Sequence, residues 1–137
     1  MDIVILIGRI LFAAIFIGGA LGHFTNTAAM SQYCESSGLR PGRVYVIGSG
    51  IWMLVAIILI VLGAWTDLGA LMLVAFLIPS AAFMHAFWRH TDVEMRMNEQ
   101  IQFSKDISLA GAALFLFGFV VSTGDSLGLT LTGPLFS

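Results

Sequence analysis

Histidine suits proton-coupled chemistry because its reference pKa lies near about 6.5, and each of this chain's three histidines stands at the end of an apolar run. His23 closes the first such run, and His85 lies in the last turn of the third, with His90 just beyond. Lys105 and Asp106 open the fourth, and Arg9 lies about two turns inside the first. One chemistry that uses these types is a quinone pocket in which His23 or His85 donates to a quinone carbonyl while Lys105 supplies positive charge. Another is an interfacial cap, with histidines and lysine bonded to lipid headgroups or terminal helix carbonyls. Haem or metal ligation by two histidines is disfavoured, since no CxxCH or HExxH spacing exists, and no metal site is expected. Arg9 either snorkels to the interface, pairs with Asp67 or Asp2, or holds an anionic ligand. The single cysteine, Cys34, leaves no internal disulfide and no CxxC redox pair.

The elements that carry these residues follow from hydropathy. The 137 residues are 58% hydrophobic and only 10% charged, with a mean hydropathy of +0.97. A soluble domain of this size leaves too much surface in water to be so apolar. Lipid is the expected solvent. Apolar runs span residues 3–23, 44–64, 68–88 and 107–122, three of them near the roughly 20 residues needed to cross a hydrocarbon core of about 30 Å. These runs predict an all-α, integral membrane four-helix bundle with antiparallel spans. The first run lacks a basic leader region and contains Arg9, so it reads as an uncleaved helix rather than a signal peptide. Residues 1–121 form the predicted transmembrane domain, and residues 122–137 a polar Gly/Ser/Thr-rich tail.

A short turn at Thr66 and Asp67 makes the second and third spans antiparallel neighbours. The links 24–43 and 89–106 either cross the bundle end or carry short interfacial helices. Both lie on one membrane face with Arg40, Arg43, Arg89, Arg96 and Lys105, against Arg9 alone on the face of the termini. The positive-inside rule places the links in the cytoplasm and both termini on the non-cytoplasmic side of the plasma membrane. Ala14, Gly18 and Gly22 on the first span, and Ser104, Ser108 and Ala112 on the fourth, recur every four positions and predict packing seams. Pro79 removes an amide inside the third span and predicts a kink that aims His85. Trp65 and Trp88 read as interface anchors, and Trp52, lying deeper, as a core or pocket residue.

Four stretches together resemble the DoxX family of small four-helix membrane proteins. They are GRILFAAIFIGGALGHF, LVAIILIVLGAWTDLGALML, AAFMHAFW and QFSKDISLAGAAL. The resemblance implies that Arg9 matches the family's arginine in the first helix, and that Gly18 and Gly22 match its glycine-rich end. His23 falls where the family often has lysine, His85 on the histidine closing the third helix, and Lys105 on the lysine before the fourth. Asp67 stands where arginine is frequent and Asp106 where asparagine is usual. Relatives serve with thiosulfate and quinone oxidoreduction, in oxidative-stress and thiol systems, in amine dehydrogenase maturation and as distant channel chaperones.

The expected function is an accessory or partner-binding subunit of a membrane redox system, quinone- or sulfur-linked, with His23, His85, Lys105 and Arg9 as candidate cofactor-binding residues. Its partners would be membrane lipids, a quinone and a larger membrane protein or a second copy of the chain. A non-enzymatic assembly or stability factor for a larger membrane protein is the alternative, and a small-molecule transporter a third. Nothing basic is clustered enough for nucleic acid.

Overall fold

The computed structural model describes residues 1–136. Five α-helices follow one another: α1 (Asp2–Thr25), α2 (Thr27–Ser36), α3 (Gly42–Leu62), α4 (Thr66–Pro79) and α5 (Val93–Thr123). A π-helical turn, Ser80–Met84, extends α4, and short 3-10 turns occupy Phe87–Arg89 and Gly124–Ser126. Four segments are long and apolar enough to cross a membrane: Asp2–Thr25, Gly42–Leu62, Thr66–Arg89 and Val93–Ser126. The chain is a multi-pass membrane protein.

The distribution of side chains fits that solvent. The centre is made of small and medium residues, with Ala13, Phe16 and Ala20 of α1 against Met53, Ala56, Ile57 and Ile60 of α3, Leu73 and Leu77 of α4, and Ala110 and Ala113 of α5. Large apolar side chains such as Leu11, Ile17, Ile51, Ile58 and Phe115 instead point outward. Water would penalise that surface, whereas acyl chains accept it. Helices pack in the order α1, α3, α4, α5, with α2 laid against α3.

Local chemistry explains the boundaries. Gly63 ends α3 in the left-handed conformation at φ 67°, which glycine adopts without a Cβ penalty and which lets the chain reverse within three residues. Link 24–43 carries a short helix, α2, one of the two arrangements expected for it. Gly42 starts α3 where any Cβ would overlap the Ser31 carbonyl oxygen of α2, so the absence of a side chain brings the two helices together. The Gly42 amide donates to Glu35 Oε1 at 3.0 Å.

Two expectations differ from the structure. Residues 93–106 are neither a crossing link nor a separate short helix but the opening of α5, capped by Asp92, whose Oδ1 accepts from the Met95 amide at 2.8 Å. The 31-residue helix is therefore about 46 Å long, and its polar start projects beyond the hydrocarbon. The third span reaches Arg89, as expected, but its regular α-helix stops at Pro79, which lacks an amide, and the following turn widens to the Ser80 carbonyl-to-His85 amide bond of 3.3 Å. The small-residue faces do not form internal seams: Ala14 and Gly18 face outward, as do Ser104, Ser108 and Ala112, and a Cβ at Gly18 or Gly22 would meet nothing within 4 Å.

Beyond Ser126 the tail runs back over the α3–α4 turn. The Leu131 and Thr132 amides donate to the Gly63 carbonyl at 3.0 and 3.1 Å, and the Phe136 amide donates to Asp67 Oδ2 at 2.7 Å.

Candidate functional site

The widening of the helix at Ser80–Met84 turns His85 toward the amino-terminal part of α5, where Glu99 and Asp106 lie two turns apart on one face. Nδ1 of His85 is 2.8 Å from Glu99 Oε2, and Nε2 is 3.8 Å from Asp106 Oδ2. The other oxygen of Glu99 accepts from the Tyr33 hydroxyl at 2.9 Å, and that hydroxyl also lies 2.9 Å from the Met84 carbonyl. Glu99 thus ties α2, the π-turn and α5 into one polar junction. Burial, and then the hydrogen bond to Glu99, push the Tyr33 phenol up to about 12.

Next to this junction lies a cavity of about 520 Å³ enclosed by α2, α3, α4 and the π-turn. Its walls are mostly apolar, with Met30, Leu39, Val46, Phe76, Pro79 and Phe83 among them, and both His23 and His85 reach it. A cavity of this size falls in the range of small-molecule sites. On the far side of the two histidines is a smaller chamber of about 150 Å³, bordered by Lys105 and Asp106 and by Phe16 and Gly19 of α1. His23, Phe76, Ser80 and His85 border both spaces and form the partition between them.

The two histidines differ in what they can offer. His23 Nδ1 lies 2.9 Å from the Val46 carbonyl and 3.0 Å from Ser49 Oγ. A carbonyl only accepts, so Nδ1 carries the proton, and Nε2 of the neutral ring is left as an acceptor with no protein partner among the described residues. At His85, by contrast, each ring nitrogen faces a carboxylate oxygen. A proton held at His85 therefore has acceptors on two sides, whereas His23 has one ring nitrogen uncommitted.

The structure brings His23 and His85 together at the partition. Lys105 comes close to them but borders only the smaller chamber, its Nζ bonded to Gln102 Oε1 and 3.8 Å from Asp106 Oδ1. Arg9 does not join them. It lies at the other end of the bundle, 2% exposed, with its guanidinium on the carbonyls of Leu129 and Ile60. No ion pair between Arg9 and either Asp67 or Asp2 forms among the described residues; the guanidinium serves as a clamp on backbone carbonyls instead. Nε of Arg9 and Oδ1 of Asp67 are buried without a partner. Trp52 spans from α3 to α4 at the lipid face, its indole donating to the Met72 carbonyl at 2.7 Å.

Glu99, Tyr33 and Ser49 are the residues that sequence reasoning passed over. Asp92 before an acidic first turn was a usable helix-start signal, and reading a helix from there puts Glu99 and Asp106 seven positions apart on one face.

The family model described as DoxX matches residues 4–86, which covers α1 to the π-turn and both histidines of the partition but not Glu99, Lys105 or Asp106. No curated protein and no solved structure matches the chain.

Proposed function

The chain belongs to the DoxX family, and on that premise we propose that it is an accessory, partner-binding subunit of a membrane redox system that holds a quinone between α2, α3 and α4. The observation that carries this reading is the apolar cavity of about 520 Å³ with His23 and His85 in its wall. A quinone fits the donor set: its ring needs apolar walls and its oxygens need a few placed polar groups. When bound, a quinone supplies two-electron, two-proton chemistry, with the electrons drawn from a redox-active partner protein.

The residues of this chain do the rest. Phe76, Phe83 and Val46 exclude water from the ring. His23 Nε2, which has no protein partner among the described residues, would accept a hydrogen bond from a ligand hydroxyl, or donate to a ligand carbonyl if that nitrogen carried a proton. His85, with a carboxylate oxygen facing each ring nitrogen, gives a proton an acceptor on either side, and Lys105 and Asp106 border the smaller chamber next to it. In this reading the chain lies in the plasma membrane. The face with Arg40, Arg43, Arg89 and Arg96 is cytoplasmic and both termini lie outside, which the excess of basic residues supports.

Purification in a mild detergent, followed by solvent extraction and reduced-minus-oxidised absorption spectroscopy, tests the site. A quinone spectrum is expected from the native chain and a weaker one from His23→Ala, together with a cofactor-bearing protein in the same fraction. A preparation free of both quinone and redox partner overturns the reading.

A second reading, a non-enzymatic assembly factor, is favoured by the outward small-residue faces of α1 and α5, which suit a foreign helix in lipid. It predicts a copurifying membrane protein without bound quinone.

A further inference from the structure

A second apolar space adjoins the cavity. It is a groove of about 280 Å³ on the outer face of α3 and α4, bounded by Val44, Tyr45, Gly48 and Trp52 on one side and by Ala75 and Phe76 on the other. Tyr45, Ser49, Ala75 and Phe76 wall both the groove and the cavity, so the two spaces are neighbours with only these residues between them. The groove is open over Gly48, which faces outward and where a Cβ would meet nothing within 4 Å, so only a larger side chain there would fill it. Its far end is fixed by the Trp52 indole, bonded to α4 at 2.7 Å. From Val44 to Trp52 the helix rises about 12 Å, from the end of the bundle that carries the histidines toward the middle of α3.

Volume separates a bare ring from a tailed one. An apolar cavity of roughly 150 Å³ is enough to hold a benzene ring, so the cavity has space for a substituted head and the root of a chain, and the groove continues from there to lipid. Resting on the quinone reading above, we propose that the ligand is a long-tailed membrane quinone whose hydrocarbon tail leaves the cavity past Gly48 and lies between α3 and α4 toward Trp52. Lipid chains are as apolar as the groove, so lying in it adds little affinity. Its role is steric. A tailed head seats only if its tail has a way out, and Gly48 keeps that way open.

The test uses the full chain in lipid nanodiscs, with a decyl-tailed benzoquinone and its tail-less counterpart as probes. Gly48→Phe places a ring in the groove and Gly48→Ala adds one methyl group. Overpacking of that size corresponds to roughly tenfold or more in affinity. Gly48→Phe is expected to weaken the tailed quinone by at least about tenfold and leave the tail-less one within about twofold, with Gly48→Ala close to the native chain. Ala75→Phe, across the groove, should repeat the pattern. Equal weakening of both probes, or of neither, overturns the proposal while leaving the quinone cavity standing. Displacement of a copurified phospholipid by Gly48→Phe with tailed-quinone binding unchanged assigns the groove to lipid and also overturns it. Failure of the native chain to bind either probe removes the cavity reading and the tail path together.

Discussion

Nδ1 of His85 and Oε2 of Glu99 lie 2.8 Å apart, joining the turn that ends one span to the exposed start of another fourteen residues later. The contact depends on two local features: the π-turn after Pro79, which swings His85 out of the helix, and the Asp92 cap, which begins α5 early enough to carry Glu99. The same carboxylate holds Tyr33 of α2. One acidic side chain therefore bonds α2 and the π-turn to the start of α5.

Glu99→Gln should loosen this junction. The amide keeps the shape but has one oxygen to serve both His85 and Tyr33, so a charge-assisted bond is lost at a cost of about 1–3 kcal/mol. Thermal unfolding in detergent should show a lower midpoint, and hydrogen exchange should quicken at residues 80–86. Unchanged protection there would mean that Glu99 does not hold the π-turn.

Tyr33 provides a pH readout of the same contact. Its phenol is raised from the ordinary 10.0 to about 12, by burial first and the Glu99 hydrogen bond next. A group whose folded pKa exceeds its unfolded value stabilises the fold fully below the unfolded pKa, and that contribution is lost as pH rises through the folded one. The junction should therefore weaken only in the window from pH 10 to about 12. Tyrosinate absorbance of the native chain minus that of Tyr33→Phe should titrate near the upper limit; a difference curve centred near the ordinary value would remove the Glu99 contact from the account.

The four spans were legible because lipid-facing and core positions are both apolar, which leaves long unbroken runs. The same fact hides rotation. Ala14, Gly18 and Gly22 have helical spacing, yet Arg9, Ala13, Phe16 and Ala20 form the inner face, and period alone cannot choose between two apolar faces. The start of α5 was hidden for the opposite reason: residues 93–106 are polar, so hydropathy saw a link, and the stretch is helical through its cap and its contacts with the π-turn. Of the candidate site, His23 and His85 were visible as titratable groups at span ends. Glu99 was not, because its meaning comes from a partner fourteen positions away.

Gly42→Ala should lift α2 from α3, since the added methyl overlaps the Ser31 carbonyl oxygen, a backbone atom that cannot rotate away. Cys34 reports this directly. It is 7% exposed, and burial and then Glu35 raise its thiol pKa, so little reactive thiolate is present near neutrality. Maleimide labelling of the native chain should be slow and that of Gly42→Ala at least about tenfold faster. Equal rates would show that α2 tolerates the methyl without leaving the cavity.

Arg9 predicts a different kind of loss, at the end of the bundle away from the histidines. Its guanidinium reaches the carbonyls of Ile60 on α3 and Leu129 in the tail, while Gly63 beside it accepts from the Leu131 and Thr132 amides. The fork of donors is what lets one side chain hold two carbonyls in different segments. Arg9→Ala leaves both carbonyls short of a donor and opens a void where a large buried side chain stood, at a cost of about 2–5 kcal/mol. Arg9→Lys fills most of the volume but offers a single ammonium, so it should recover only part of the stability. The tail beyond Ser126 should become protease-sensitive in Arg9→Ala, and also in Asp67→Ala, which removes the acceptor of the Phe136 amide. Quinone extraction should be unaffected by either change, because neither residue borders the cavity. A stable Arg9→Ala chain with a protected tail would show that the backbone bonds to Gly63 suffice to hold the tail.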